Sequence, residues 1–136
     1  VWQYHGAEHK TIYCYEKRQP LLVENAREQS RFHPRCGTSF LFIVVFVSIL
    51  VFSAVKTASF WARIGLHLLL LPVIVGLSYE LIKLAGRYDN WLTRAISAPG
   101  KALQRLTTAE PDDSMLEVAI QALQLVIPEK AGSDTW

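Results

Sequence analysis

The sequence predicts an all-α membrane protein, with a transmembrane helical hairpin between an N-terminal metal-site helix and C-terminal interfacial or amphipathic helices. Three observations indicate this fold class: two long stretches nearly without charge, a hydrophobic content of 51%, and a charged content of only 19%. Soluble domains usually carry about 25% charged residues. The 136 residues divide into a metal-motif segment (1–36), the hairpin (37–82) and the C-terminal segment (83–136).

Each apolar stretch is about as long as a bilayer is thick. Residues 37–55 contain no charge, and residues 64–82 contain one acid, Glu80. A helix of that length spans about 28 Å at ~1.5 Å per residue, against roughly 30 Å of hydrocarbon. The short connection, residues 56–63, makes the pair an antiparallel hairpin. The alternative is a pair of buried helices in a soluble domain, but both stretches are apolar on all sides.

Basic residues are distributed unequally around the hairpin. Six Lys and Arg precede the first stretch, two lie in the connection and six follow the second stretch. The positive-inside rule therefore places both termini in the cytoplasm and the connection outside. Pro72 interrupts the hydrogen bonding of the second helix and is expected to kink or loosen it.

The N-terminal segment is predicted to begin with a helix from Tyr4 to about Glu16, which Gln19-Pro20 ends. Residues 21–25 form a short apolar run that reads as a strand or a loop. Residues 31–37, "RFHPRCG", contain two helix breakers and are predicted to form a turn leading into the membrane.

The C-terminal segment is predicted to contain two helical stretches. Residues 85–106 look interfacial, because Tyr88 and Trp91 suit headgroup depth and the basic residues suit anionic lipid. The lipid bilayer is therefore an expected partner, and Pro99-Gly100 should break this stretch. Residues 107–127 read as an amphipathic helix capped around Asp112. Its apolar stripe is a packing face, for this chain, a partner protein or a second copy in a homo-oligomer.

A metal-binding pattern lies near the N-terminus. His5, Glu8 and His9 share one helix face, since they are three and four residues apart. Histidines at i and i+4 can bind one zinc ion, and the glutamate can hold or deprotonate a bound water. This H-x-x-E-H spacing is the inverted zinc-protease pattern. A solvated polar helix face is the alternative for such a short motif.

A second pair of donors, His33 and Cys36, precedes the first membrane stretch with H-x-x-C spacing. Mixed imidazole and thiolate donors favour zinc. Alternatively, this is a structural turn in which His33 caps the membrane helix and Cys36 packs as a small apolar residue. The two clusters together predict a shared zinc site. Its predicted ligands are His5, His9, His33 and Cys36.

Two acids are predicted to be catalytic, Glu8 and Glu80. A carboxylate near the end of a membrane helix is costly and therefore suggests function. Glu80 could alternatively form an ion pair with Arg35 or Lys83. Glu16 shares the face of the two N-terminal histidines, but it lies about 10 Å further along the helix and is too distant for the same ion.

Several function classes are not supported by the sequence. The net charge of +2 and the absence of a basic run interleaved with aromatics argue against nucleic-acid binding. Two cysteines are too few for a disulfide framework. Cys14 lies on the opposite side of the N-terminal helix from His5 and is predicted to pack. A Cys36–His33 nucleophile would lack an orienting third group.

Four strings resemble a known family in order and over roughly residues 2–127: "YHGAEHKTI", "HPRCGTSFL", "LPVIVGLSYELIKLAGR" and "LTTAEPDDSMLEVAI". They are similar to the bacterial domain-of-unknown-function family 1385, the YqhQ-like proteins. The resemblance implies a metal-dependent protein of the bacterial inner (cell) membrane and supports the same ligands and carboxylates. Family members usually carry a glycine-rich upstream region with further hydrophobic segments. An upstream region of the same product is therefore an expected partner.

Two functions follow from these predictions. The first is a membrane-bound metal-dependent hydrolase, with a peptidase as the candidate activity and its site at the cytoplasmic membrane interface. The second is a non-catalytic membrane scaffold or assembly protein with a structural His3Cys zinc site. The coordination number distinguishes them, because catalytic zinc keeps a position open and structural zinc binds four protein ligands. Transport and redox sensing remain as further alternatives.

Overall fold

The structure is a computed structural model that describes residues 1–56 and 59–129. Within these residues every regular element is a helix, so the all-α prediction is confirmed. The helices are α1 (Trp2–Glu16), α2 (Val23–Arg27), α3 (Gly37–Ala54), α4 (Phe60–Arg87), α5 (Trp91–Thr107) and α6 (Asp113–Gln124). Contacts divide the chain into two compact units. Among the described residues, 1–33 and 101–129 form the first unit, and those between 34 and 100 form the second.

The structure corrects the prediction for residues 21–25. Only Leu21 and Leu22 precede regular structure, and Leu22 is extended. A short helix, α2, begins at Val23. The reason is tertiary packing: α2 turns Ala26 into the core of the first unit, where it is fully buried. A helix this short gains most of its stability from such packing rather than from propensity.

The predicted break at Pro99-Gly100 is also wrong, because α5 continues through both residues. Pro99 lies on an exposed side of the helix, whereas Gly100 is buried. A Cβ added at Gly100 would lie 2.5 Å from the Oγ of Ser39. Gly100 therefore serves close packing within the second unit, and this packing outweighs the local tendency of the pair to end a helix.

In the first unit, α1, α2 and α6 pack around one apolar core. Its buried members are Ala7, Cys14, Ala26, Leu116 and Ile120. The two α6 residues in this core confirm the predicted packing face, which the chain itself covers. The predicted packing role of Cys14 is also confirmed. Burial raises the pKa of its thiol, and its Sγ lies 3.3 Å from the carbonyl oxygen of Pro20.

Ion pairs join the first residue of α6 to α2, and Glu110, which precedes α6, to α1. Arg27 at the end of α2 binds Asp113, with 2.6 Å between Nη2 and Oδ2. Lys10 of α1 is almost fully buried, pairs with Glu110 and donates to the carbonyl oxygen of Arg27 at 2.8 Å. The Lys10 pair holds Glu110 against the helix that carries the predicted histidine pair, and the Arg27 pair holds Asp113 against α2.

Helix α1 approaches the chain after α5 very closely at Gly6. A Cβ at this position would lie 2.1 Å from the carbonyl oxygen of Ala109. Beside it, the N–H of Ala109 donates to the carbonyl oxygen of Trp2 at 2.9 Å. A side chain at Gly6 would therefore force the two segments apart.

We expect Gly6→Ala to destabilise the protein by about 1–3 kcal/mol, the usual cost of overpacking a core. In an open helix the same change is stabilising by about 1 kcal/mol. Gly65→Ala in α4 is the matched control, because no atom lies within 4 Å of its added Cβ. Thermal unfolding in detergent, followed by circular dichroism, measures both variants. A stabilising effect at Gly6 equal to that at Gly65 would contradict the close approach.

Asp112 caps α6, as predicted from the sequence. Its Oδ1 accepts hydrogen bonds from the hydroxyl of Ser114 at 2.6 Å and from the N–H of Met115 at 3.0 Å. These bonds, that from Ser114 foremost, lower the pKa of Asp112. The carboxylate form is therefore favoured in the folded state.

We expect Asp112→Ala to lower the free energy of unfolding at pH 7. Because the pKa of Asp112 is lower in the folded state, its ionised form contributes stability above the unfolded pKa of about 3.9. That contribution is lost as the pH falls through the depressed folded value. Asp112→Asn is the control, since its amide oxygen can cap at any pH. The same deficit for Asp112→Ala at pH 7 and below the folded pKa would rule out an ionisation-dependent cap.

In the second unit, α3 and α4 pack against each other. The buried residues of their interface are Ile43, Val47, Ile74 and Ile82. The ring of Phe52 stacks on that of His67 with 3.6 Å between centroids. The hydroxyls of Ser48 and Ser78 each donate to the carbonyl oxygen four residues earlier, at 2.7 Å. Polar groups inside these apolar helices are thus satisfied by their own helix.

Both helices of this pair are long and apolar enough to cross a membrane. Only 17% of the apolar window of each is buried in the protein, whereas a core helix of a soluble domain would be mostly buried. Large side chains such as Leu68 and Leu69 point outward. Helix α4 extends beyond the predicted 64–82 at both ends and continues through Pro72.

Candidate metal centre

Helix α1 places His5 and His9 on the same face, one turn apart. Their ring centroids are 4.4 Å apart and the rings meet edge to face. No proline interrupts the helix, and it continues from Trp2 to Glu16. As predicted from the H-x-x-E-H spacing, the two histidines therefore lie side by side on one helix face.

The turn after α2 brings a third imidazole to this pair. The ring centroid of His33 lies 5.8 Å from that of His9 and 4.7 Å from that of Tyr13. His9 and His33 are nearly fully buried, at 3% and 5% exposure, and His5 is partly exposed. We call His5, His9 and His33 the imidazole cluster. All three belong to the first unit.

Backbone carbonyls determine which ring nitrogen of the α1 histidines carries the proton. The Nδ1 of His5 lies 2.8 Å from the carbonyl oxygen of Thr107, and that of His9 lies 2.5 Å from the carbonyl oxygen of Arg31. A carbonyl oxygen can only accept, so each Nδ1 must donate. In the neutral ring the lone pair is then on Nε2. Histidines that bind metals are typically held in this way, with the second nitrogen on a carbonyl or a carboxylate.

His33 is held through both its backbone and its ring. Its N–H donates to the Oε1 of Gln104 at 2.8 Å, and the Nε2 of Gln104 donates to its carbonyl oxygen at 2.7 Å. The Gln104 side chain is completely buried. The Nε2 of His33 lies 3.2 Å from a carboxylate oxygen of Glu16. The carboxylate accepts, so a neutral His33 has its lone pair on Nδ1.

Sequence reasoning did not assign roles to Glu16 and Gln104. Glu16 was considered only as a ligand to the ion of the α1 histidines, and the structure places it against His33 instead. Gln104 is 71 residues from His33. A buried glutamine so far along the chain gives no local signal, because its partner is determined only when the chain folds.

Two features of the His5–His9 pair suit a metal ion. Two imidazoles that bind one tetrahedral zinc through ~2.1 Å bonds have ring centroids roughly 5 Å apart. The 4.4 Å between His5 and His9 is close to that value, whereas the 5.8 Å between His9 and His33 exceeds it, and the Nε2 of His33 lies against the carboxylate of Glu16. Imidazole donors with fixed tautomers also suit zinc and related transition metals.

The other predicted site residues are Glu8, Cys36 and Glu80. Glu8 is exposed on α1, between the two histidines in sequence. Cys36 is the residue before α3, and its Sγ lies 3.3 Å from the Oγ1 of Thr38, in the second unit. It follows His33 by three residues, so the chain keeps the two Cα atoms within roughly 11 Å. Its role as a ligand stays a prediction.

Glu80 also belongs to the second unit, on α4. Its side chain is 61% exposed, and Oε2 lies 3.9 Å from the Nζ of Lys83, one turn further along. One of the two ion-pair partners considered from the sequence is therefore present. A pair so long and so exposed is weak, and the predicted catalytic role of Glu80 stays a prediction.

The sequence matches the family model described as "Protein of unknown function (DUF1385)" over residues 1–129. The chain belongs to this family. It is also 42% identical over 135 residues to the "Uncharacterized protein YqhQ" of Bacillus subtilis (strain 168). That match covers 98% of this chain and 42% of the relative, so the chain spans less than half of the relative's length. No solved structure matches the chain. The resemblance to the DUF1385 family is thus confirmed.

We expect this DUF1385 chain to bind about one zinc ion, and His5→Ala and His9→Ala each to lose most of it, because each removes one Nε2 donor. His67→Ala is the matched control, since its ring stacks on Phe52 of α3. Mass spectrometry of metal content in purified protein measures the stoichiometry, and circular dichroism checks helical content. A wild-type chain without metal, or histidine variants that retain it, would refute the site.

Proposed function

We propose that the chain is a membrane-bound metal-dependent hydrolase with an H-x-x-E-H-type site at the cytoplasmic membrane interface, and that its substrates are peptides. The observation that carries the proposal is the pair of Nδ1 hydrogen bonds to the carbonyl oxygens of Thr107 and Arg31. These bonds direct the lone pairs of His5 and His9 to Nε2. An ordinary solvated helix face would not require two imidazoles held in this manner.

In this proposal His5 and His9 are the first two ligands, and His33 and Cys36 are the candidates for completing the site. A zinc ion held by these residues would supply a Lewis acid for a scissile carbonyl and would lower the pKa of a bound water to about 7. Glu8 takes up the water proton on its carboxylate oxygen and returns it to the leaving amine. Its exposed position supports this role, because an incoming substrate can approach it.

The membrane setting of the proposal rests on α3 and α4. We propose that they form a transmembrane hairpin in the bacterial inner (cell) membrane. Six of the 14 Lys and Arg precede α3, two lie between residues 56 and 63, and six lie from Lys83, near the end of α4, onward. By the positive-inside rule both termini are then cytoplasmic.

The alternative is a non-catalytic scaffold or assembly protein with a structural zinc. The low exposure of His9 and His33, 3% and 5%, favours it, because structural sites are closed to solvent. His5, His9, His33 and Cys36 would then occupy all four positions. In this version the zinc stabilises the segment ahead of the membrane, and Glu8 has no chemical role.

We expect Glu8→Gln to retain zinc and to lose peptide hydrolysis by roughly 10²–10⁴-fold, the range for loss of a general base. The substitution keeps shape and removes only the proton acceptor. Glu24→Gln on α2 is the matched control, an exposed glutamate outside the imidazole cluster. The assay uses the chain in lipid nanodiscs with a peptide library and mass-spectrometric detection of new termini. Undiminished hydrolysis by Glu8→Gln would reject the assigned base.

X-ray absorption at the zinc edge separates the two functions independently of any substrate. The hydrolase requires three protein ligands and a light-atom solvent ligand. The structural alternative requires four protein ligands, including sulfur, and no solvent ligand. Cys36→Ser tests the sulfur assignment, because it removes that scatterer. A closed four-ligand shell would overturn the hydrolase proposal.

A further inference from the structure

Helix α5 has its polar residues inside and its apolar residues outside. The residues buried along it are Thr93, Ser97, Gly100 and Gln104. Apart from Ile96, which packs against the core between α3 and α4, its large apolar side chains are exposed, at 79% for Trp91, 51% for Leu92, 38% for Leu103 and 75% for Leu106. A surface helix in water normally has the opposite arrangement. The outward face of α5 is therefore suited to a non-aqueous environment.

The exposed apolar residues form one continuous stripe. At ~100° per residue they occupy an arc of about 140° without a polar interruption. The stripe consists of Trp91, Leu92, Ala95, Ala98, Pro99, Ala102, Leu103 and Leu106, all of them exposed. We call it the α5 stripe. The helix is continuous through Pro99, so the stripe extends over the whole length of α5.

Basic residues border the α5 stripe along one edge. Arg94, Lys101 and Arg105 fall at about 280–320° around the helix, between the stripe and the buried face. Asp89 pairs with the guanidinium of Arg94 at 2.7 and 2.9 Å. Over residues 1–56 and 59–129, Lys101 and Arg105 have no carboxylate within ion-pair distance. These two residues therefore supply most of the positive charge at this edge.

A membrane surface is the occupant that best matches these features. Three residues separate the end of α4 from the start of α5, and α4 is long enough to span a bilayer. Lys83 and Arg87 near the end of α4 suit the headgroup region, as do the exposed rings of Tyr88 and Trp91. An apolar stripe with a basic edge is the pattern of helices that lie in the interface of anionic membranes.

We propose that α5 lies in the plane of an anionic bilayer surface, with the α5 stripe at the acyl–headgroup boundary and Lys101 and Arg105 at the lipid phosphates. The inference rests on the membrane-spanning role proposed for α3 and α4 and is independent of the hydrolase activity. A second copy of the chain, or another part of a longer product, is the competing occupant of the stripe.

The test uses Trp91 as the only tryptophan, with Trp2, Trp61 and Trp136 changed to Phe. The full chain is reconstituted into bilayers of phosphatidylcholine, with or without phosphatidylglycerol, that carry nitroxide quenchers near the headgroup or near the chain end. We expect the shallow quencher to be the more effective in anionic bilayers. Changing Lys101 and Arg105 to Gln should lower the equilibrium constant for docking of α5 on anionic bilayers. We expect a decrease of roughly fivefold for each charge removed. Arg18→Gln, a change outside α5, should have no effect.

Other outcomes overturn the proposal in distinguishable ways. If aqueous iodide quenches Trp91 as fully as free indole in both bilayers, the stripe faces water. If neither iodide nor lipid nitroxides reach Trp91, protein covers the stripe. Equal docking of the neutralised variant in anionic bilayers would remove the role of charge.

A separate Leu69→Trp reporter in α4, on a background without other tryptophans, must be quenched by the deep nitroxide. Its failure would point to the membrane-spanning assignment instead.

Discussion

The candidate site depends on two hydrogen bonds between imidazole nitrogens and backbone carbonyls. Thr107 and Arg31 each present a carbonyl oxygen to the Nδ1 of an α1 histidine. Both carbonyls come from parts of the chain that reach α1 only through folding: one ends α5 and the other follows α2. The close packing at Gly6 and the pairing of Lys10 with Glu110 bring the first of these segments to α1. The packing of the first unit therefore also determines which ring nitrogens of its histidines carry protons.

Sequence patterns predicted the structure best where all the interacting residues belong to one helix. The separation of His5 and His9 follows from helix geometry alone, because residues four apart share a face. The same holds for the cap at Asp112, whose two hydrogen-bond donors come within the next three residues. The apolar stretches that became α3 and α4 were recognisable by length and composition. In each case a local rule was sufficient.

Local rules failed where distant packing decides the outcome. Pro99-Gly100 was expected to end a helix, but Gly100 is needed against Ser39 and the helix continues. Residues 21–25 have little helical signal of their own, and burial of Ala26 favours the turn of helix α2. Glu16 and Gln104 could not be assigned to His33 from sequence, since the contacts join residues 17 and 71 positions apart. The positions of Cys36 and Glu80 relative to the imidazole cluster remain sequence-based predictions for the same reason.

The two opposite sides of α5 have very different neighbours. On the inner side, the amide of Gln104 holds the backbone of His33 at both its N–H and its carbonyl. On the outer side, Leu103 and Leu106 are within two residues of that amide and are exposed. The helix turn that holds the backbone of His33 is therefore the same turn that presents these leucines. If α5 docks on the bilayer as proposed above, lipid contact on one side of this turn and a ligand of the histidines on the other would be linked, and each would change the affinity for the other.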